Sequence, residues 1–292
     1  AMRDYIIMTD SCCDLSQQEV EELDLTVLPL SFTIEGKTLL NTPDHADLSP
    51  EEFFKKIAEG ADCTTAAVNV GQFTDAMEKV LDEGKDILCI CFSSALSTTY
   101  QSACIAASDL REKHPGAKII VIDSLSASRG QGMLLYRTVR ERREKGLDID
   151  ALASYVDSII QSQDHWFFVD DLNHLKRGGR VSATAALVGT MLGIKPVMHT
   201  DDAGTLKNVT KARGRKAALK ALAQKLADTA INPAEQTVFI CHGDCIEDAE
   251  YTAEQIRALT PVKDIIINYV GPVIGAHTGP GVISVFFVGT HR

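Results

Sequence analysis

Three segments in the first half of the chain share one pattern of apolar and polar positions. Each begins with a short, uninterrupted apolar run, passes through small polar residues and ends in a helical period: YIIMTDSCCDLS from Tyr5, DILCICFSSALSTTYQSACIAASDLREK from Asp86, and KIIVIDSLSASRGQGMLLYRTVRERREKG from Lys118. Uninterrupted apolar runs are typical of strands covered on both faces, as in a parallel sheet between helices. Ligands of such sheets bind beyond the carboxyl ends of the strands. The pattern therefore predicts an α/β/α domain with its small polar residues at that edge.

The segment after the first repeat follows a different pattern. LTVLPLSFTIEGKTLLNTPD alternates like strands around a turn at Glu35-Gly36, and the helix SPEEFFKKIAEG follows it. Alternation around a glycine turn is typical of a hairpin. We therefore expect a small β insertion with a helix over about residues 25–62, and a further helix from about Gly71.

Beyond about residue 164 the pattern mixes helices with strands joined by short turns. It predicts strands at TVFICH, DIIINYV and VISVFFVG, a turn at DDAG, a small-residue helix after LKRGGR, and helices at KARGRKAALKALAQKLADTA and EDAEYTAEQIRAL. Such a mixture is typical of an α+β domain. The chain is therefore expected to form a two-domain α/β protein, with residues 1–163 in the parallel-sheet domain and 164–292 in the α+β domain.

Composition narrows the class of protein. The 292 residues are 45% hydrophobic and 24% charged, which is a soluble globular composition, and the formal net charge of −11 opposes nucleic-acid binding. The eight cysteines lack the dense spacing of a secreted scaffold and predict reduced thiols in a cytoplasm. Basic residues nevertheless cluster in HLKRGGR and in KARGRKAALK. A solvated helix face explains most such runs.

Several kinds of catalytic or cofactor site are excluded by their missing motifs. There is no P-loop and no nucleophile elbow, and the glycine-rich segments lack the third glycine of a dinucleotide fingerprint. CHGDC, from Cys241, has cysteines four apart around a histidine, but no second pair with suitable spacing completes a tetrahedral zinc site. We therefore predict neither a metal nor a cofactor.

The remaining chemistry consists of neutral hydroxyls and one histidine. Ser93, Ser94 and Ser97 lie in SSALS, where Ser97 can cap the following helix, and three serines exceed what one cap requires. GPVIGAHTGPG is predicted to form a tight turn that presents His277, its one ionisable side chain. Hydroxyls and an imidazole around helical N–H groups suit a single carboxylate, which a protonated imidazole would bind more strongly.

Seven segments occur in an order that resembles the DegV family: TDSCCDL, SSALSTTYQSA, VIDSLSASRGQG, LKRGGRVS, GIKPVM before DAGTL, KARGRKA and GPVIGAHTGPG. The resemblance covers essentially the whole chain. It implies a bacterial cytoplasmic protein of two α/β domains, with a long-chain fatty acid of roughly 14–18 carbons in a tunnel between them. The better understood members of the family present the carboxyl group to a separate fatty-acid kinase, which makes an acyl phosphate.

The resemblance also assigns roles to six residues near the carboxyl group: Thr65, Ser97 and His277 as hydrogen-bond donors, Ser93 and Ser94 at the same strand end, and Arg213 beside them. The sequence departs from the family pattern at two places. TTAAVN replaces TSQPS, and Thr98 replaces the glycine of LSGT. The hydroxyl and imidazole donors are retained despite both departures.

Three functions are compatible with these residues. The first is a lipid carrier that is not catalytic alone and serves a kinase in trans. The second is an acyl- or phosphoryl-transfer enzyme with Ser97 or Thr65 as nucleophile and His277 as base, although no acid to orient His277 is identifiable. The third is an interaction module that uses the basic surface and has a vestigial pocket. For the lipid carrier, Lys176, Arg177 and Arg180 are expected to dock the kinase or, transiently, an anionic membrane surface.

Overall fold

The computed structural model describes residues 3–182, 193–290 and 292. The chain separates into two compact units. Unit 1 comprises residues 1–31, 40–47 and 65–160, and unit 2 comprises residues 32–39, 48–64 and 161–292. Among the described residues no helix has both the length and the apolar character needed to cross a membrane.

Unit 1 is built on a four-stranded parallel sheet. In spatial order its strands are β2 (Leu25–Leu28), β1 (Tyr5–Asp10), β6 (Asp86–Cys91) and β7 (Ile119–Asp123). Helices contact both faces of this sheet: α1 (Gln17–Glu22), α3 (Val70–Asp82), α4 (Thr99–Lys113), α5 (Arg129–Lys145) and α6 (Ile149–Ile159). The three strands predicted from uninterrupted apolar runs are thereby confirmed, because both faces of each strand are covered.

A small three-stranded sheet has the order β4 (Lys37–Asn41), β3 (Leu30–Ile34) and β5 (Cys63–Ala66). Glu35 and Gly36, both with positive φ, form the hairpin turn that the sequence predicts. The predicted helix after this hairpin is α2 (Pro50–Ala58), in unit 2. Ser49 caps α2 by accepting a hydrogen bond from the Glu52 N–H. The buried face of α2 carries Phe53, Phe54 and Ile57.

Unit 2 contains a six-stranded, mostly antiparallel sheet. Its strands, in spatial order, are β10 (Leu206–Arg213), β9 (Ile194–Thr200), β8 (Gln163–Phe168), β13 (Ile283–Val288), β11 (Thr237–His242) and β12 (Asp264–Tyr269). Its other helices are α7 (Asn173–Arg177), α8 (Arg215–Thr229), α9 (Ile246–Leu259) and α10 (Pro272–Thr278). Apolar side chains of α8 and α9 pack on one face of the sheet. The predicted two-part α/β architecture, a parallel-sheet domain and a sheet-plus-helix domain, is confirmed.

The helix predicted from Lys211 is wrong at its start. Residues 211–213 belong to β10, where they pair with β9, and Gly214, at a φ of 82°, separates the strand from α8. Pairing with a neighbouring strand overrides helix propensity here. Lys211 and Arg213 therefore lie on a strand and not on a helix face. The small-residue helix predicted after LKRGGR falls on residues 183–192, outside the described residues.

Candidate functional site

His277 lies in the last turn of α10, so the tight turn predicted from GPVIGAHTGPG is wrong in detail. Gly271 is the N-cap with an extended backbone, Pro272 is the first helical residue, and Gly279 follows the helix at a φ of 76°. Proline at the first position and glycine after the last are favoured helix boundaries. The glycines and prolines that suggest a turn thus delimit a short helix that carries the imidazole.

The imidazole of His277 packs directly against the backbone of Gly178, which follows α7. A Cβ at Gly178 would lie 2.7 Å from Cε1 of His277 and still closer to its Nδ1. The reverse contact joins His174 of α7 to Gly279, where a Cβ would lie 2.5 Å from the His174 Cδ2. We call this pair of contacts the histidine–glycine interlock. It holds α7 and α10 together and sets the position of the His277 ring.

Arg180 places a positive charge near His277. Burial lowers the pKa of His277 to about 4, and the positive charge of Arg180 contributes to the lowering. The imidazole is therefore neutral at pH 7 in this structure, so the stronger bond that a protonated ring would form is not what its surroundings favour. The guanidinium of Arg180 is half-buried and its Nη1 donates to the Gly178 carbonyl oxygen. Arg180 thus supplies the positive charge and His277 a neutral ring nitrogen.

The sequence places Arg180 in one basic cluster with Lys176 and Arg177, but in the structure Arg180 is less exposed than the other two. Lys176 and Arg177 are exposed, and Nη2 of Arg177 lies 3.1 Å from Nδ1 of His174. Gly179 has a φ of 77°, and the chain turns back after it so that the Arg180 N–H donates to the Leu175 carbonyl oxygen. The Gly-Gly pair in the sequence is the signal that could have placed Arg180 beside the histidine.

The two arginines of KARGR have different environments. Arg213 is exposed at the end of β10. Arg215 is bonded on several sides: Nε and Nη2 lie 2.9 and 2.6 Å from Oδ2 of Asp248, Nη1 donates to Asp170, and Nη2 donates to the Gly281 carbonyl oxygen at 3.1 Å. Arg215 therefore fastens the loop after α10 to the segment before α7. The sequence singles out Arg213, and the anchoring residue is Arg215.

The serines of SSALS lie beyond the carboxyl end of β6, as the sequence predicts. Ser93 is buried, and its N–H donates to the Ser126 carbonyl oxygen at 2.9 Å. Its own carbonyl oxygen accepts from the N–H groups of Leu96 and Ser97. The Ser94 N–H donates to Oδ1 of Asp123 at 3.1 Å. The backbone of this loop is thus held in place by the loop after β7.

Ser97 lies one residue further from α4 than the sequence predicts. The helix begins at Thr99, so the N-cap position falls on Thr98. The Ser97 Oγ accepts from the Thr99 N–H at 3.1 Å and lies 2.9 Å from the Thr99 Oγ1. The hydroxyl pair marks the start of α4, where free N–H groups favour an anion. Thr65 is half-buried in β5 and belongs, like the serines, to unit 1.

The CHGDC motif forms a turn. The Cys245 N–H donates to Nδ1 of His242 at 3.0 Å, and the Cys245 thiol donates to the Val282 carbonyl oxygen at 3.5 Å. Gly243 exchanges backbone hydrogen bonds with Val282 and Gly281. No group of three or more histidine, cysteine, aspartate or glutamate side chains in the described ranges could hold a metal ion. The motif instead supports the loop that follows α10.

Comparison with known proteins identifies the family of this chain. The DegV family profile, described as an uncharacterised protein family, matches residues 5–290. A DegV domain-containing protein of Clostridium perfringens is 46% identical over 288 residues, covering 99% of this chain and 98% of its own length.

Two solved structures of bacterial proteins are similar along their whole length. A fatty-acid-binding DegV family protein of Thermus thermophilus has a TM-score of 0.85 at 29% identity, covering 99% of this chain and 100% of its own. A stearic-acid-binding protein of Eubacterium ventriosum has a TM-score of 0.85 at 26% identity, covering 98% of each chain. The family profile, the sequence relatives and the shared fold agree with the seven ordered motifs, and this protein belongs to the DegV family.

Proposed function

We propose that this protein binds a long-chain fatty acid without transforming it and presents the carboxyl group to a separate fatty-acid kinase. The observation that carries this proposal is the half-buried imidazole of His277, held against Gly178 with the guanidinium of Arg180 beside it. One cation and one neutral ring suit a monovalent carboxylate. The fatty acids bound by the Thermus and Eubacterium relatives support the same ligand class.

In this proposal Thr65, Ser97 and His277 donate hydrogen bonds to the carboxylate, with Ser93 and Ser94 shaping the loop around it. Arg180 joins them as a source of positive charge, because its charge acts on His277. Arg213 is exposed and its proposed role near the carboxyl group is secondary to that of Arg180. The acyl chain supplies most of the binding free energy, at about 0.8 kcal/mol per buried CH₂ before ordering costs.

The electrostatics of His277 favour a carrier over an enzyme. A general base is most effective with a pKa near the working pH. The pKa of His277 is about 4, because burial and Arg180 both disfavour the protonated ring. A catalytic histidine is usually stabilised in its protonated form by a carboxylate, whereas the guanidinium of Arg180 disfavours the protonated form of His277. We therefore propose that acyl-phosphate formation requires the kinase.

Replacing His277 with Ala tests the carboxylate site. The substitution removes a hydrogen bond to a charged group, so palmitate affinity should fall by about 1.5–3 kcal/mol, measured by calorimetry. His114→Ala is the matched control, because His114 follows the far end of α4 and bonds to Glu78. The control should bind palmitate like the parent. Unchanged affinity in His277→Ala would show that the carboxyl group is bound elsewhere.

We further propose that α7 presents a docking surface for the kinase in the cytoplasm. Lys176 and Arg177 are exposed on this helix, next to the interlock that positions His277. A basic surface beside the carboxyl site would bring an acidic face of the kinase to the reacting group. The alternative partner of the same residues is an anionic membrane, which they would contact transiently while fatty acid is exchanged.

A further inference from the structure

The unit 2 sheet has one face that α8 and α9 do not cover. Those helices pack on side chains that include Trp166, Phe168 and Val285. Side chains alternate between the two faces of a strand, so the intervening residues point to the opposite face. On that face the register brings His165 next to Phe286, and Phe167 next to Met198 and Ser284. These residues are all buried.

His165 lies on this largely apolar face together with the polar residues Ser284 and Thr200. It is 6% exposed, and its ring stacks on Phe167 and Phe286 with centroids 4.9 and 4.3 Å away. Burial lowers its pKa to about 3, so the ring is neutral at pH 7. Nδ1 lies 2.9 Å from the Thr200 Oγ1. Nε2 is also buried, and it has no hydrogen-bond partner within the part of the protein that the structure describes.

A buried polar atom without a partner is rare in folded proteins and calls for one. Whether Nε2 donates or accepts depends on which role Nδ1 takes toward Thr200. A hydroxyl group both donates and accepts, and it therefore satisfies either tautomer of the ring. An alkyl chain satisfies neither. The orphan nitrogen thus favours a ligand that carries an oxygen atom among its methylene groups.

The position of His165 along the sheet indicates where that oxygen would be. β13 follows the loop after α10, starts at Ile283, and reaches Phe286, opposite His165, three residues later. At about 3.3 Å per residue, His165 lies about 10 Å along the strand from Ile283. A fatty acid with its carboxyl group at His277 that follows β13 would pass Ile283 before it reaches the ring, so His165 would contact methylene groups well away from the carboxyl group.

We infer that His165 is a specificity residue for long-chain fatty acids that carry a hydroxyl group near the middle of the chain. The inference rests on the proposed function, because it takes the carboxyl group to be bound at His277. In it the Nε2 of His165 forms a hydrogen bond with the hydroxyl, and the stacked rings of Phe167 and Phe286 hold the imidazole in place. A saturated chain leaves this nitrogen without a partner.

The experiment compares affinities for stearate, 2-hydroxystearate, 10-hydroxystearate and 12-hydroxystearate by calorimetry. The parent should bind at least one of the two mid-chain isomers about tenfold more tightly than stearate, as expected for one added hydrogen bond. The 2-hydroxy isomer should show no such gain, because its hydroxyl lies next to the carboxyl group. His165→Phe keeps an aromatic ring but removes the ring nitrogen. In this variant the affinity for the mid-chain isomer should be equal to or lower than the affinity for stearate. His165→Leu serves if the Phe variant misfolds.

His199→Phe is the matched control. His199 stands opposite Trp166 in the register, its ring stacks on Trp166, and it therefore points to the face that α8 and α9 cover. This variant should keep the hydroxyl preference of the parent. Equal affinities for stearate and both mid-chain isomers, or a preference that survives His165→Phe, would overturn the inference. Failure of stearate itself to bind would contradict the proposed function, whereas stearate binding without a hydroxyl preference contradicts the inference alone.

Discussion

Asp164 shows how one buried carboxyl group makes stability depend on pH. It is 1% exposed, and the space that a Cβ at Gly289 would take is filled by its carboxyl group. Neither carboxyl oxygen has a hydrogen-bond partner among the described residues. Burial raises the pKa of Asp164 to about 7, against a lowering effect of Arg292. A raised pKa in the folded state means that stability is fully present below the unfolded value near 3.8 and is lost as the pH rises to 7.

Asp164→Asn removes the titrating carboxyl group and tests whether its ionisation lowers stability as the pH rises. Between pH 5 and pH 8 the free energy of unfolding of the variant should rise by about 2–3 kcal/mol relative to the parent, because the interval from pH 5 to pH 7 lies between the unfolded and folded pKa values. Urea unfolding at both pH values measures the difference. Asp157→Asn, an exposed position on α6, is the control and should parallel the parent. A constant difference between Asp164→Asn and the parent would show that Asp164 is already ionised at pH 5.

Individual site residues can be predicted from the sequence where a motif surrounds them. The segments around Ser97 and His277 mark both residues, and the serines lie at the predicted strand end. For Arg180 the glycine pair before it indicates a turn, but the residue that its guanidinium then approaches depends on the packing of Gly178 against His277, which is distant in sequence. The backbone turns at Gly179 through a left-handed φ. The distinction between Arg213 and Arg215 likewise depends on Asp170 and Asp248, which are distant in sequence.

At the scale of elements, the histidine–glycine interlock makes a prediction about Gly178. Gly178 has a φ of −78°, which any residue can adopt, so Ala adds no backbone strain. Its Cβ would collide with the His277 ring and displace it. We expect Gly178→Ala to lose about tenfold or more in palmitate affinity, a loss close to that of His277→Ala, while the free energy of unfolding changes by less than about 1 kcal/mol.

The adjacent glycine provides the matched control. Gly179 has a φ of 77°, and an added Cβ would meet nothing within 4 Å in the described structure. Gly179→Ala should therefore lose about 1–2 kcal/mol of stability through backbone strain while retaining its palmitate affinity. Calorimetry and urea unfolding of both variants separate the two effects. If Gly178→Ala binds like the parent, the interlock does not position His277.

Elements are predictable wherever local pattern and tertiary pairing agree. β1, β6 and β7 are apolar over most of their length and covered on both faces, so their sequence alone identifies them. The segment from Lys211 differs because its alanine and lysine content favours a helix, whereas pairing with β9 keeps residues 211–213 extended. The helix α10 could not be predicted because it is short. Its seven residues carry too little periodicity to distinguish a short helix from a turn.

At the scale of the whole molecule, the net charge is −11, so the basic residues of α7 differ in sign from the protein as a whole. Reversing their charge therefore tests whether they form a docking surface. Lys176→Glu/Arg177→Glu should slow acyl-phosphate formation by the cognate kinase at least about tenfold at low salt, because like charges now meet at the encounter. Palmitate affinity should remain that of the parent. The difference in rate should shrink as salt rises, since salt screens the parent's advantage. Arg180 is left unchanged because it lies beside His277.

A second charge reversal separates local docking from net charge. Lys79→Glu/Arg140→Glu changes two exposed residues of unit 1 and alters the net charge equally. It should leave the phosphorylation rate at the parent value. Equal slowing by both double variants would refute a docking surface on α7. A normal phosphorylation rate with slowed uptake of palmitate from anionic phosphatidylglycerol vesicles would assign the surface to the membrane instead.

The place of β13 in its sheet has a consequence for biosynthesis. β13 lies between β8 and β11, hydrogen-bonded on both sides, although it follows every other strand of that sheet in the sequence. Until residue 288 has left the ribosome, β10-β9-β8 and β11-β12 are two separate ribbons, each with an unpaired edge. Such edges invite aggregation in partly folded chains. Unit 1 has all four strands of its sheet by residue 123 and can form that sheet during translation, whereas the sheet of unit 2 cannot be completed before β13 is synthesised.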